Sequence, residues 1–301
     1  MIRVLVTGAA GQVGADVARL LEGRAELAAR DRVSLDLGDP DAIVRCMREV
    51  RPQVVVNAGA YTAVDRAESE PDIAHAVNAR APRILAEESR RAGALLVHYS
   101  TDYVFDGTKA GPYVETDGTA PLGVYGATKL EGERAVAASG CDHVILRTSW
   151  VYAPRGRNFM LTMLRLAETR DELRVVDDQR GAPTSSLALA RATLELFGAD
   201  AARPLGADDV ACVASRSGLY HATAGGETTW YGFASEIFRE RQARVPSYRP
   251  PQVIPIATRD YPTPARRPAN SVLSNERLGA TFGVRIPAWR EGLREALSAL
   301  G

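Results

Sequence analysis

Three glycines directly after a short apolar run at the N-terminus constrain the fold more than any other feature of the sequence. Residues 3–6 are rich in valine and predict a buried strand, and residues 12–21 carry apolar side chains at helical spacing. Between them, Gly8, Gly11 and Gly14 are spaced G-x-x-G-x-x-G. A tight turn and a close backbone approach to phosphates both need residues without a Cβ, and the helix N-terminus that follows attracts anions. The pattern predicts a βαβ fold that binds a dinucleotide.

Strand and helix signals alternate through the first half of the chain. Unbroken apolar runs predict buried strands, and apolar residues three and four apart predict the helices between them. Such alternation is typical of parallel βαβ units, so the expected fold class is α/β, with a Rossmann-like, doubly wound parallel sheet. The predicted strands are residues 3–6, 26–29, 54–56, 94–99 and 144–146, and the predicted helices are residues 12–21, 39–50, 71–91 and 124–138.

The pattern changes after about residue 150. We expect residues 1–150, together with about 173–197, to form the Rossmann domain. We expect residues 198–301, together with about 151–172, to form a smaller α/β substrate-binding domain. The signals in this half are helices at 158–168, 187–196 and 231–242, a strand at 173–176, a loop at 198–218 rich in Ala, Gly and Asp, and a proline-rich passage at 261–268.

Composition and charge argue against several classes of function. The 301 residues carry 37 Lys and Arg against 37 Asp and Glu, a balance that gives no support for a nucleic-acid or membrane-surface partner. No apolar run approaches the roughly 20 residues that span a bilayer, and no signal-peptide cleavage site follows the N-terminal run. The three cysteines and four histidines show no ligand spacing, so we predict no metal site and a cytoplasmic protein with reduced thiols.

A tyrosine and a lysine one helical turn apart supply an acid and a cation. Tyr125 and Lys129 lie in the predicted helix 124–138 and project from the same face. A phenol has a pKa of about 10, and we expect the lysine charge and that of an oxidised nicotinamide to lower it. Tyr125 can then donate a proton to a carbonyl oxygen while hydride reaches the carbon, and Lys129 can hold the nicotinamide ribose. The pair therefore predicts a hydride-transfer enzyme.

Hydroxyl side chains follow the predicted strand 94–99. Active-site groups collect at the carboxyl ends of the strands in such sheets, and a hydroxyl there can bind the substrate carbonyl. Thr101 is the preferred candidate, ahead of Ser100; the alternative is a hydroxyl that only satisfies the local backbone. His98, which precedes them, is expected to be a packed core histidine.

The segment after the second predicted strand bears on the choice of cofactor. An acidic residue there normally accepts the adenosine ribose hydroxyls and selects NAD. Here Arg30 can pair with a 2′-phosphate, so NADPH is the expected cofactor, with acceptance of NADH left open. The alternative is that Arg30 and its charged neighbours are solvated loop residues. Further cofactor contacts are expected at Asp36 and Leu37, near the adenine, and at Ala58 and Ala60, after the third strand.

Longer stretches, taken with these residues, resemble the dTDP-4-dehydrorhamnose reductase family of the extended short-chain dehydrogenases/reductases. The G-x-x-G-x-x-G spacing is the form found in extended members. The resemblance covers nearly the whole chain and rests on residues 8–14 (GAAGQVG), 56–65 (VNAGAYTAVD), 98–107 (HYSTDYVFDG), 121–133 (PLGVYGATKLEGE), 147–152 (RTSWVY), 178–184 (DQRGAPT) and 261–268 (YPTPARRP).

The resemblance implies an activity and roles for individual residues. The family reduces the 4-keto group of a dTDP-linked 6-deoxy-L-lyxo-hexulose with NADPH, or with NADH in some members, to give dTDP-L-rhamnose. Its catalytic set corresponds to Thr101, Tyr125 and Lys129. Some members bind a metal between subunits through acidic surface residues, and no matching set is found here. The family's sugar contacts correspond to Asp102, Tyr103 and Trp150, and its cofactor contacts to Gly11, Gln12, Val13, Asp36, Leu37, Ala60, Tyr61 and Thr62.

Two features of the second half have uses in a site for a nucleotide sugar. Arg266 and Arg267 lie between prolines that limit the freedom of the loop, and a pyrophosphate needs cations; the alternative is that they are solvent-facing or bracing charges. Trp150 offers a flat apolar surface to a sugar or base, or else packs in the core.

Two other functions stay open from the sequence. The chain could reduce another nucleotide-linked keto-deoxysugar, because the shape of the pocket decides which face receives hydride. It could instead be a non-catalytic, NADP-binding regulatory subunit; the regulatory subunit of methionine adenosyltransferase resembles this family and works by binding another protein. The intact set of Thr101, Tyr125 and Lys129 argues against the second. The sequence is compatible with a monomer or a homodimer.

Overall fold

A six-stranded parallel sheet forms the centre of the fold. The computed structural model describes residues 1–198 and 203–300. Their strands are β1 (Arg3–Thr7), β2 (Glu26–Arg30), β3 (Val54–Asn57), β4 (Leu95–Thr101), β5 (His143–Thr148), β6 (Val151–Tyr152), β7 (Glu172–Val176), β8 (Arg180–Gly181), β9 (Thr184–Ser185), β10 (Gly218–His221), β11 (Thr228–Thr229) and β12 (Gln252–Ile256). The large sheet has the order β10-β5-β4-β3-β1-β2, with every neighbouring pair parallel. The order reverses between β1 and β3, so their carboxyl ends open the crevice where such sheets bind ligands.

Helices cover both faces of this sheet, which confirms the Rossmann-like α/β class. They are α1 (Gln12–Leu21), α2 (Pro40–Val50), α3 (Val64–Ala67), α4 (Pro71–His75), α5 (Ala81–Ala92), α6 (Val124–Ala138), α7 (Phe159–Leu166), α8 (Ser186–Glu195), α9 (Ala207–Ala214), α10 (Trp230–Arg244), α11 (Glu276–Phe282) and α12 (Trp289–Ser298). Val4 and Val6 belong to the core that includes Val17 of α1, whereas Leu5 belongs to the core that includes Ile43 of α2. Successive strand residues point to opposite faces, so one unbroken apolar run fills two cores. Among the described residues, no helix is long and apolar enough to cross a bilayer.

The predicted helix 71–91 is interrupted in its first half. α4 and α5 are joined by a π-helical segment, Ala76–Arg80, in which the Ala81 N–H donates to the Ala76 carbonyl oxygen. Pro82 has no N–H to donate to the Asn78 carbonyl oxygen, so the regular pattern cannot continue there. The Asn78 side chain accepts from the Tyr61 N–H at 2.9 Å and donates to the Tyr61 carbonyl oxygen at 3.0 Å. The interruption therefore anchors the backbone of a predicted cofactor contact.

The predicted loop at 198–218 contains a helix, α9, and this part of the prediction is wrong. Asp209 in the first turn of α9 accepts from the Gly206 N–H at 2.8 Å, and its carboxylate pairs with the Arg203 guanidinium at 2.6 Å. Val213 of α9 is fully buried in the core. Asp and Gly are turn residues in most contexts, but an acidic side chain in a first turn stabilises a helix. Residues 199–202 of the predicted loop lie outside the described residues.

Two strands lie elsewhere than the proposed division of the chain places them. β7, predicted within the Rossmann domain, pairs with β12 in a separate two-stranded parallel sheet. β10, predicted within the second domain, pairs with β5 at the edge of the large sheet. Both pairings join segments far apart in the sequence, which local patterns do not specify. The division into two domains remains a proposal.

Candidate active site

A large cavity runs along the carboxyl ends of the central strands. Its volume is about 660 Å³, which lies within the range of small-molecule and cofactor pockets. It crosses the crevice between β1 and β3 and extends along the ends of β4 and β5. Four predicted site residues do not line it: Gly14, Arg30, Arg266 and Arg267. The predicted residues that line it are Gly8, Gly11, Gln12, Val13, Asp36, Leu37, Ala58, Ala60, Tyr61, Thr62, Thr101, Asp102, Tyr103, Tyr125, Lys129 and Trp150.

The glycine turn forms a close-packed cradle at one side of this cavity. Gly8 has a φ of 66°, a conformation that favours glycine, and a Cβ there would lie 2.6 Å from the Gly59 backbone. A Cβ on Gly14 would lie 2.2 Å from the Gly8 carbonyl oxygen, so Gly14 supports the turn from behind. Gly11 precedes α1 and provides no side-chain cap, which leaves the first N–H groups of the helix available to an anion. The residues present therefore fit the pyrophosphate of a dinucleotide.

A segment after β6 holds the first residue of α1. Arg155 donates to the Gln12 carbonyl oxygen at 2.7 Å and pairs with the buried Asp16 carboxylate at 2.9 Å. Asn158 donates to the Gln12 side-chain oxygen at 2.9 Å. Arg157, between them in sequence, is exposed and lines the cavity, to which it adds a cation. No sequence motif marks these residues, so they were not predicted.

The loop after β2 presents a different arginine to the cavity from the one predicted. Arg32 lines the cavity together with Asp36. Arg30, the predicted partner of a 2′-phosphate, does not line it; its side chain lies beside Cys46 of α2 and donates to a neighbouring backbone carbonyl at 3.4 Å. Arg32 is therefore the arginine of this loop that can meet a ligand in the cavity.

A local turn accounts for this difference. The Asp31 carboxylate accepts from the backbone N–H groups of Val33 and Ser34, at 3.1 and 2.8 Å, and from the Ser34 hydroxyl at 2.6 Å. The Ser34 hydroxyl and backbone N–H hold the pKa of Asp31 below its usual value. An aspartate that bonds to the backbone two and three residues ahead folds the chain back on itself, and this turn places the intervening Arg32 at the cavity. The spacing of charges in the sequence does not show the direction of the turn.

Thr101, Tyr125 and Lys129 meet at one wall of the cavity. Thr101 ends β4, whereas Tyr125 and Lys129 project from α6 one turn apart. Lys129 is 2% exposed, and its ammonium donates to the Tyr99 carbonyl oxygen at 2.6 Å. Thr101 is 4% exposed and lies within hydrogen-bonding reach of Tyr125. The structure thus brings the predicted catalytic set together.

Burial dominates the pKa values of the two groups on α6. It lowers the pKa of Lys129 to about 8 and raises that of Tyr125 to about 12, with the Thr101 hydrogen bond lowering it and the Asp102 charge raising it further. The expected lowering of the Tyr125 pKa does not occur in the protein alone, because the lost hydration of the phenolate dominates. Tyr125 is therefore protonated at neutral pH, as a proton donor must be.

A buried hydrogen-bond chain links the glycine turn to Lys129. The Thr7 hydroxyl donates to Asn57 Oδ1 at 2.6 Å, and Asn57 Nδ2 lies 3.0 Å from His98 Nδ1. His98 Nε2 lies 3.5 Å from Lys129 Nζ. Burial, reinforced by the Lys129 charge, holds the pKa of His98 well below its usual value, so the imidazole is neutral. His98 is fully buried, as expected, but no sequence pattern indicated that it contacts the lysine.

A buried ion pair supports the end of the strand that carries Thr101. Ser100 donates to Glu133 at 2.5 Å, and Arg147 of β5 binds the same carboxylate through two nitrogens, at 2.9 and 2.6 Å. Glu133 lies one turn after Lys129 on α6. The pair ties α6 to β4 and β5, and it gives the Ser100 hydroxyl a structural partner. Thr101 is therefore left as the better candidate for contact with a substrate.

Asp102 is a buried carboxyl group on the cavity wall. It is 2% exposed, its Oδ1 accepts from the Thr101 hydroxyl at 3.0 Å, and its Oδ2 has no hydrogen-bond partner among the described residues. Burial raises the pKa of Asp102 to about 6. The adjacent Tyr103 ring meets the Tyr125 ring edge to face, with centroids 5.5 Å apart. Both predicted sugar contacts therefore lie beside the tyrosine of the catalytic set.

Trp150 is held in a left-handed backbone conformation by a second tryptophan. Its φ is 49°, which is costly for a residue other than glycine. Its ring stacks on that of Trp230 in α10, with centroids 3.6 Å apart and planes at 9°. A Cβ on Gly181 would lie 2.5 Å from the Trp150 ring, so this glycine leaves the space that the ring fills. Trp150 combines packing with a place on the cavity wall, and no sequence pattern predicted its partner.

The two arginines of the proline-rich passage have different surroundings. Arg267 binds both carboxylate oxygens of Asp65, at 3.0 and 2.8 Å. These hydrogen bonds hold the pKa of Asp65 below its usual value. Arg266 is exposed. Arg267 therefore braces the passage against α3, while a contact between Arg266 and substrate remains a prediction.

Comparisons with known proteins agree with this geometry. Residues 2–301 match the model of the RmlD substrate binding domain family. The chain is 50% identical over 292 residues to the dTDP-4-dehydrorhamnose reductase of Burkholderia thailandensis, with 96% of each chain covered. Among solved structures, a dTDP-4-dehydrorhamnose reductase from Clostridium acetobutylicum superposes with a TM-score of 0.88 at 39% identity, covering 99% of both chains. One from Bacillus anthracis, in complex with NADP, gives a TM-score of 0.88 at 33% identity and the same coverage.

Proposed function

The chain belongs to the RmlD substrate binding domain family, and we propose that it is an NADPH-dependent oxidoreductase that makes dTDP-L-rhamnose. In the proposed reaction, the 4-keto group of dTDP-4-dehydro-6-deoxy-L-mannose is reduced and Tyr125 is the proton donor. One observation carries the proposal: the glycine turn and the set of Thr101, Tyr125 and Lys129 face the same cavity. Reduction of a carbonyl needs a bound hydride carrier and a proton donor in one enclosure.

NADPH is the cofactor that we propose. The cradle of Gly8 and the uncapped start of α1 suit its pyrophosphate, and Arg157 adds a cation on the same side of the cavity. At the adenosine end, Arg32 offers a guanidinium to the 2′-phosphate, for which a planar, always-charged group is well matched. When bound, the nicotinamide supplies the hydride.

Tyr125 delivers the proton in this proposal. The 4-keto carbon gains a hydride, and the oxygen takes the proton of the Tyr125 hydroxyl, so that the ketone becomes an alcohol. The raised pKa of Tyr125, about 12, keeps that proton in place until the oxygen gains negative charge. Thr101 offers a hydroxyl to the same oxygen or to Tyr125, and Lys129, fixed by the Tyr99 carbonyl and near His98, holds positive charge beside them.

The sugar is expected to lie between Tyr125 and the wall formed by Asp102, Tyr103 and Trp150. Asp102 Oδ2 has no hydrogen-bond partner among the described residues and is assigned to a sugar hydroxyl, and the Trp150 ring is a flat surface for a pyranose face. We assign Arg266 to the diphosphate as a further proposal, because it is an exposed cation beside a loop restrained by prolines. The product places the protein in rhamnose biosynthesis.

Consumption of NADPH tests the proposal directly. The purified protein is mixed with NADPH and with dTDP-4-dehydro-6-deoxy-L-mannose generated in situ, absorbance loss is followed, and the product is identified by NMR. We expect consumption of NADPH and formation of dTDP-L-rhamnose. Tyr125→Phe is the matched control, since it removes one hydroxyl from the same cavity.

Two other outcomes would contradict the proposal. Consumption with a different epimer would make the protein a reductase of another nucleotide-linked keto-deoxysugar. Tight binding of NADPH without consumption would make it a non-catalytic subunit.

A further inference from the structure

Asp102 is a buried carboxyl group with an unused oxygen, placed one hydroxyl away from the proposed proton donor. Its Oδ1 accepts from Thr101 Oγ1 at 3.0 Å, while its Oδ2 has no partner among the described residues. The Thr101 oxygen also accepts from the Tyr103 N–H at 3.2 Å, which fixes its position. Because the Thr101 hydroxyl also lies within hydrogen-bonding reach of Tyr125, Thr101 stands between the two groups.

Burial favours the neutral, protonated form of Asp102, and the hydrogen bonds of the surrounding groups offset only part of that effect. Thr101 and Tyr103 face it from its own segment, Tyr125 faces it from α6, and the Ser271 hydroxyl lies within hydrogen-bonding reach of the carboxyl group. None of the ion pairs among the described residues includes Asp102, and Arg267, whose charge acts on the adjacent Tyr103, is bound to Asp65. A buried carboxyl group without a cation holds its proton to higher pH than one in water, and its pKa is raised to about 6.

Resting on the proposed function, we propose that Asp102 is the proton reservoir for Tyr125 and that the Thr101 hydroxyl carries the proton between them. Tyr125 breaks its O–H bond as it protonates the substrate oxygen. When Asp102 is protonated, its Oδ1 donates to Thr101 Oγ1 across the 3.0 Å contact, which leaves the Thr101 proton for Tyr125. The Thr101 proton then moves to the Tyr125 oxygen, and the Asp102 proton moves to the Thr101 oxygen. Asp102 is left as a carboxylate and regains one proton from water when product leaves, which matches the one proton consumed per carbonyl reduced.

The relay gives Asp102 a role that a sugar contact alone does not have. A residue that only binds a sugar hydroxyl affects KM, whereas a proton source for Tyr125 affects kcat and its dependence on pH. Asp102→Asn separates the two roles. The amide oxygen still accepts from Thr101 and the side chain still fills the same space, but the amide cannot supply a proton.

The test measures kcat and KM between pH 5 and pH 9 for the wild type, Asp102→Asn and the control Asp106→Asn, a carboxyl group of the same segment that does not line the cavity. We expect wild-type kcat to fall as pH rises through the Asp102 titration. Asp102→Asn should lose this limb and lower kcat about 100-fold at its optimum, within the range for proton-transfer groups, while Asp106→Asn matches the wild type. An unchanged kcat and pH profile in Asp102→Asn, with or without a raised KM, would overturn the relay.

Two further measurements keep the inference separate from the proposed function. Infrared difference spectra of wild type minus Asp102→Asn, without substrate, should show one carboxylic acid band that titrates near pH 6; a fully ionised Asp102 at pH 5 overturns the relay. The double variant Thr101→Val/Asp102→Asn should lower kcat no further than the more harmful of the two single variants, because both substitutions interrupt the same proton path. Additive losses of kcat in the double variant would contradict the relay. A wild type that consumes no NADPH would instead overturn the proposed function itself.

Discussion

The two ends of the cavity are built in different ways. At the end proposed for catalysis, Thr101 and Lys129 are buried, and the Lys129 ammonium bonds to the backbone of β4. At the end proposed for the adenosine, Arg32 and Asp36 are exposed, and the turn that presents Arg32 is held by bonds within four residues. Burial strengthens electrostatic effects and shifts pKa values at the first end, whereas water screens the charges at the second. We infer that the chemistry depends on the whole fold and that cofactor preference depends on a local loop.

The largest expected effect is at the buried end. Tyr125→Phe should lower kcat by about 10³-fold, in the range for a lost proton donor, because the ring and its packing remain and only the acid is removed. The dissociation constant for NADPH, measured by fluorescence titration, should change little. Turnover close to wild type would remove Tyr125 from its proposed role and weaken the contrast between the two ends.

The second prediction concerns the glycine turn that joins the two ends. Gly14→Ala adds a Cβ that would lie 2.2 Å from the Gly8 carbonyl oxygen, so the turn must shift. We expect the dissociation constant for NADPH to rise by roughly tenfold or more, about 1.4 kcal/mol for each factor of ten. Gly118→Ala is the control, since a Cβ there meets no atom within 4 Å. Equal affinities in the two variants would show that the turn does not bind the cofactor.

The third prediction tests the adenosine end directly. Arg32→Ala should weaken NADPH binding about tenfold, as expected for the loss of one charge-assisted hydrogen bond, and should leave NADH binding nearly unchanged. Arg30→Ala is the matched control from the same loop, because Arg30 does not line the cavity. An effect confined to Arg30→Ala would restore the assignment made from the sequence. Equal losses of affinity for NADPH and NADH would show that Arg32 does not bind the 2′-phosphate and serves only the structure of the loop.

The smallest expected effect is at the proline-rich passage. Arg266→Ala should raise the KM for the nucleotide sugar about twofold to threefold at low salt and less at high salt, as for an exposed charge. NADPH binding should not respond. Steady-state kinetics at two ionic strengths measure the KM for the nucleotide sugar and the KM for NADPH. A KM for the sugar that does not change with the substitution would show that Arg266 does not contact the substrate.

Local sequence patterns predicted the parts of the fold that local physics decides. The bounds predicted for α1 and α6 match the structure. At α1, a glycine before the helix and apolar spacing within it mark where the helix begins and how far it runs. Thr101 and Tyr125 were predicted together because strand ends and the helix after them converge at one edge of a parallel sheet. These inferences need no knowledge of distant contacts.

The sequence-based predictions were wrong or missing where contacts between distant segments of the chain determine the structure. The pairing of β7 with β12 and the chain from Thr7 through Asn57 to His98 join segments that no local pattern connects. Arg32 lines the cavity in place of the predicted Arg30 for a different reason. The turn held by Asp31 directs the Arg32 side chain, and not that of Arg30, to the cavity. Arg157 reaches the site through the fold of the second half and leaves no signature of its own.

The strained backbone at Trp150 limits which substitutions the residues around it can accept. A left-handed conformation at a residue other than glycine costs about 1–2 kcal/mol, and here the stack on Trp230 and the open space at Gly181 maintain it. A larger residue at 181 displaces the ring, and a smaller one at 230 removes the surface on which it rests. Positions 150, 181 and 230 are therefore expected to change together during evolution. A substitution at one of them is tolerated only when the other two change to match it.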